Sequence, residues 1–202
     1  MTTADLPAPA KRPERPLRAD ARRNYARLLA AANAAFAEHG PDASLDDIAQ
    51  RASVGIGTLY RHFPTRQALL EAVYRDQIDS LRAEAEALRD APSPQEALAA
   101  WLRSLLAHNL TQRGLKEALM NGEASALVAE SKAQLRAAGA ELLARAQQAG
   151  AVRADLDVND LLRLVYGIAL ADERSPAGSP KLANRCLLVM LDGLATLERA
   201  TE

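Results

Sequence analysis

Thr58 and Arg61 stand three positions apart in residues 52–63, which read Ala-Ser-Val-Gly-Ile-Gly-Thr-Leu-Tyr-Arg-His-Phe. On a helix they share a face. Arginine can grip O6 and N7 of guanine with two hydrogen bonds, and a threonine methyl can touch the methyl of thymine. Ile56 offers a second apolar contact of that kind. Gly57 has no Cβ and lets a helix backbone approach DNA closely. Ser44 and Arg66 fall at helix starts, where free N–H groups and the helix dipole favour an anion. Both are assigned to phosphate, which positions a protein on the duplex while base edges select sequence. Capping alone also accounts for Ser44, and a solvated charge for Arg66.

Other chemistries find little footing. His39, His62 and His108 are scattered, and none has a Cys, His or acidic partner at metal-ligand spacing. No phosphate loop or serine-nucleophile motif occurs. The single cysteine, Cys186, excludes an internal disulfide and lies in an apolar run that reads as core. A small all-α enzyme is therefore the weakest of three readings, and neither metal nor cofactor is expected.

The elements that must position these residues are helical throughout. Alanine and leucine dominate, aromatics make up 3%, and no segment alternates as a half-buried strand would. The expected class is all-α. A basic, proline-rich tail over residues 1–17 precedes a DNA-binding unit over 18–75 and a larger helical unit over 76–202. The first helix runs from about Ala19 to His39 and stops at Gly40-Pro41. Ser44 and Asp47 cap a short second helix. A turn with Ser53 and Gly55 around Val54 leads to the third, in which Leu59 and Phe63 face inward with Val54. Gly57, Thr58, Arg61, Ile56 and parts of Tyr60 and His62 are left outside. Two short helices joined by a tight turn describe a helix-turn-helix. Thr65 caps a long helix to Arg89, and Ala91-Pro-Ser-Pro94 breaks it. Helices follow from Gln95, from Glu123 to Ala149, from Asp157 to about Ala171, and from Pro180 to the end, with a shorter piece between Thr111 and Gly122.

Net charge hides an asymmetry. Residues 1–75 carry 11 Lys or Arg against 8 Asp or Glu, and the remainder 14 against 18. A basic front fits a polyanion partner. No segment approaches a membrane span or a secretory leader, so a soluble, cytoplasmic protein is expected. Lys11, Arg12 and Arg15 read as a solvated basic tail.

Residues 44–74 closely resemble the DNA-binding region of the tetracycline-repressor (TetR) family of transcription regulators. Ser44, Ile48, Ala49, Ala52, Val54, Gly57, Thr58, Leu59, Tyr60, Phe63, Leu69 and Leu70 carry the resemblance. Ser53 departs from it where the family often has Gly, which implies strain in the turn. Gly55 stands where the family often has Ser, so a side-chain cap is lost. The resemblance implies that Tyr60 and His62 reach the DNA backbone. Packing at the edge of the small core is the alternative for both.

It also implies a homodimer through the last two helices, since one short recognition helix reads too few bases and two would read a palindrome. The candidate stripes are Leu161, Leu164, Val165 and Ile168, and Leu187, Leu188, Leu191 and Leu194. Middle helices would enclose a small-molecule effector, with Trp101, Leu105, His108, Met120, Leu127 and Tyr166 as candidate contacts. The expected function is a sequence-specific regulator, a repressor released from its operator by a small organic ligand. An effector-independent regulator or an activator remains open at this point.

Overall fold

The computed structural model describes residues 15–111, 119, 126–173 and 180–195. Among them are eight named helices and no strand: α1 (Arg15–His39), α2 (Leu45–Arg51), α3 (Ile56–His62), α4 (Arg66–Ala87), α5 (Pro94–Thr111), α6 (Ala126–Gln148), α7 (Val158–Glu173) and α8 (Pro180–Leu194). An isolated antiparallel bridge joins Val152 to Ala195. There Arg153 N–H donates to the Leu194 carbonyl at 3.0 Å, tying the end of α8 to the α6–α7 connection. The all-α class is as expected from the composition.

Helix ends follow from local chemistry. Gly40 closes α1 at φ +73° and donates back to the Phe36 carbonyl at 2.9 Å. Ser44 Oγ accepts from Asp47 N–H at 3.4 Å, and Thr65 Oγ1 from Ala68 N–H at 3.1 Å. Gly150, at φ +70°, ends α6 in a Schellman pattern: Ala151 N–H bonds the Ala146 carbonyl and Gly150 N–H that of Gln147. At the head of α7, Asp157 Oδ1 accepts from the backbone of Asn159 and Asp160, while Asp160 Oδ2 accepts from Asp157 N–H at 3.0 Å. That reciprocity makes it a capping box. The backbone N–H of Asp160, more than that of Asn159, holds the Asp157 carboxyl below the usual carboxylate range.

The front unit closes on Leu28, Ala32, Phe36, Ile48, Leu59 and Phe63, all buried. A chain of charge joins α1 to α2: Arg51 reaches Glu38 at 2.7 Å and Asp47 at 2.8 Å. α4 belongs to both ends of the molecule and is about 33 Å long. Its Gln77 donates to Asn33 of α1 at 2.6 Å. One turn later, the Leu81 carbonyl accepts from Trp101 Nε1 of α5 at 3.1 Å, and Glu84 accepts from Ser104 at 2.6 Å. The back unit's core centres on Trp101, Leu102, Leu106, Leu142, Leu161 and Leu187. A Cβ on Gly139 of α6 would fall 2.8 Å from Cζ3 of the Trp101 indole, so only glycine lets α6 lie this close to α5.

Candidate functional site

α3 is oriented by two anchors. Leu59 and Phe63, four residues apart, are both buried, each worth about 1.5–3 kcal/mol. Gly57 and Arg61 stand two positions either side of Leu59 and so point the opposite way, and both are exposed. Tyr60 is also exposed, at 48%. Nothing lies within 4 Å of where a Cβ on Gly57 would be, so the fold itself does not require glycine there. Among the described residues, no carboxylate pairs with Arg61, which leaves its fork of donors facing solvent. The turn that leads into α3 carries Ser53 at φ +54°, a left-handed conformation that costs a side chain strain.

Two expected DNA contacts, Ile56 and Arg66, sit differently from their sequence reading, and His62 takes the packing position that was its alternative. Ile56 is half-buried and packs against the core. Arg66 is turned inward. Its Nη1 donates to the carbonyls of Pro41 at 2.9 Å and Ala43 at 2.6 Å, satisfying the α1–α2 connection rather than extending toward a phosphate. His62 is half-buried, and its ring meets Tyr25 edge-on at 5.9 Å, with Tyr25 also 5.2 Å from Phe63. Thr58 is half-buried, and Ser44 is exposed at its cap.

The back unit holds a cavity of about 170 Å³ among α4, α5, α6 and α7. Leu105, His108 and Tyr166, three of the candidate contacts, line it. Two other candidates lie elsewhere. Trp101 is fully buried, its one donor spent on Leu81, and Leu127 is 53% exposed near the start of α6. Met120 lies outside the described residues. The sequence reading missed Tyr74, Asn109, Lys132 and Arg136, which also line the space. The available signal was a Lys and an Arg four apart on α6 with Leu135 between them, a pairing that otherwise reads as a solvated helix face. Burial pushes the Tyr74 phenol up to about 12, so it remains a neutral donor. Its ring lies under Lys132, with Nζ 5.3 Å from the centroid, and 6.4 Å from the His108 ring.

Known proteins share this fold. Residues 28–73 match the family described as bacterial regulatory proteins of the tetR family, and residues 93–196 match the C-terminal domain of SbtR-like transcriptional regulators. The second match alone spans half of the chain. The protein belongs to the TetR family of transcriptional regulators. A TetR transcriptional regulator from Streptomyces coelicolor is 38% identical, with a TM-score of 0.72, over 84% of this chain and 97% of its own. A TetR regulatory protein from Mycobacterium vanbaalenii is also 38% identical, with a TM-score of 0.72, over 89% and 99%. The HTH-type transcriptional repressor KstR2 of Mycolicibacterium smegmatis is 27% identical over 90% of this chain and 95% of its own.

In this TetR-family regulator the last two helices divide their apolar residues between inside and outside. Leu161, Val165, Leu187 and Leu194 are buried within the subunit, and Ile168 and Leu191 are half-buried against its core. Both stripes expected at a dimer face thus serve mainly the subunit's own packing. Among the described residues of these two helices, the exposed large aliphatic ones are Leu164 on α7 with Leu182, Leu188 and Val189 on α8, the last 67% exposed. Cys186 is exposed on that face of α8 rather than buried, since it sits three residues from Val189 and four from Leu182. Among the described residues, no helix is long and apolar enough to cross a membrane.

Proposed function

We propose that this regulator is a repressor that occupies a palindromic operator as a homodimer and is released from it by a small organic ligand. The observation that carries the reading is the outward face of α3. Gly57, Tyr60 and Arg61 are exposed on it and have no packing role, while Leu59 and Phe63 hold the helix rigidly from behind. Arg61 and Thr58 contact base edges, Tyr60 and Ser44 contact phosphate, and Gly57 admits the backbone. Repression follows from occupying a promoter, and the similarity to the KstR2 repressor supports that sign of regulation. The exposed residues of α7 and α8 would meet their counterparts about a two-fold axis, in a four-helix packing.

Release runs through α4. That helix walls the cavity with Tyr74 and Ile78 and supports the reading head at its other end. A ligand that binds one tilt of α4 better than another shifts the spacing of the two reading heads, and with it the affinity for DNA. The test is a gel-shift with the DNA flanking the protein's own gene, repeated with candidate metabolites. Retardation that a metabolite abolishes is the expected result. Absence of retardation by any flanking duplex at low salt would remove the DNA reading, and retardation indifferent to every metabolite would favour an effector-independent regulator.

A further inference from the structure

The charge around the cavity narrows the ligand. Lys132 and Arg136 stand four apart on α6 and both reach the cavity, on either side of Leu135. Among the described residues no Asp or Glu lines it, and no carboxylate lies within ion-pair distance of either cation. Lys132 is half-buried with its ammonium held over the Tyr74 ring, which keeps the charge at the wall instead of free in solvent. Asn109 spends its amide N–H on the Leu105 carbonyl at 2.9 Å. Ile78, Leu105, Leu135 and Leu162 give the wall its apolar part, and His108 and Tyr166 complete it. Among the described residues neither cation meets a carboxylate, and at the mouth of a partly apolar space, with Lys132 half-buried and Arg136 exposed, they favour an incoming anion.

We infer that the effector is a small organic anion, a carboxylate with a compact apolar body, whose charged end is bound by Lys132 and Arg136. The inference rests on the effector reading above and names the chemistry of its site. The apolar body lies against Leu135 and Leu162, and the carboxylate takes charge-assisted hydrogen bonds from the ammonium and guanidinium. The neutral Tyr74 phenol adds a donor on the α4 side, which would connect ligand occupancy to the helix that carries the reading head.

Benzoate and its uncharged isostere benzamide are suitable probes, with dissociation constants measured on the full chain by ligand-observed NMR at millimolar concentrations. Benzoate should bind about tenfold more tightly than benzamide, as one charge-assisted pair allows. Lys132→Met and Arg136→Met should each reduce that preference while leaving benzamide unchanged. Arg136 is exposed, so its variant keeps the fold even if that at Lys132 does not. Equal affinity for the two probes, a preference that survives both substitutions, or no binding of either would overturn the inference. Operator titrations with benzoate present separate the two proposals. Benzoate that binds through these cations without changing DNA affinity upholds the anion site and removes the release reading.

Discussion

Arg61 and Gly57 show how side chains on one short helix can be told apart by what they do not touch. Neither packs against the protein, so substitution there should alter DNA binding without damaging the fold. Arg61→Ala is expected to weaken operator binding by about 1–3 kcal/mol and relax discrimination at one base pair, read by titration against single-base operator variants. Gly57→Ala should leave thermal stability unchanged or raise it by about 0.5 kcal/mol, because a helical Gly costs entropy and the new methyl meets nothing. The same variant should bind the operator more weakly if the backbone approaches DNA at this point. Arg66 gives the opposite pattern. Arg66→Lys keeps the charge, but its ammonium sits on a shorter stem than the Nη1 that donates to both the Pro41 and Ala43 carbonyls, so stability should fall by about 1–2 kcal/mol in a denaturant titration. A phosphate contact alone would leave stability untouched and be preserved by lysine. The sequence could not reveal this, because a basic residue at a helix start has the same pattern whether it faces outward to an anion or backward to a loop.

At the scale of elements, helix ends were legible and helix faces only partly so. Thr65, Gly150, Asp157 with Asp160, and Pro180 all mark boundaries through local hydrogen bonding or fixed backbone angles, which depend on a few neighbouring residues. The strain at Ser53 was legible only through the family resemblance, in which glycine often stands at that position. The buried face of an almost wholly apolar helix was not. On α8, Leu187 and Leu188 are adjacent and chemically identical, yet one is in the core and the other is 51% exposed. Periodicity cannot choose between them, because the choice depends on α7 and α5 packing alongside. Trp101 failed as a cavity residue through a partner far away in sequence: Gly139 admits its ring between α5 and α6. Gly139→Val should therefore cost about 1–3 kcal/mol, and calorimetry should show the melting temperature falling by roughly 2–4 °C for each of those.

For the whole molecule, the exposed residues of α7 and α8 face the same demand as a core without a lid. Leu164, Leu182, Leu188 and Val189 are apolar and open, and two copies meeting there would cover them. Val189→Arg would bury an unpaired charge in such a contact, weakening self-association by about 3 kcal/mol or more. Sedimentation velocity should then show a folded monomer with diminished operator binding. A variant that sediments like the parent chain would place the two-fold contact elsewhere.

Trp101 is the only tryptophan in the chain. Its indole is sealed from water at the crossing of α5 and α6, with its N–H on the Leu81 carbonyl of α4. The intrinsic fluorescence of the intact protein is consequently a single-site optical gauge, reporting from the junction of three helices just past the turn where α4 leaves the front unit, with no label introduced.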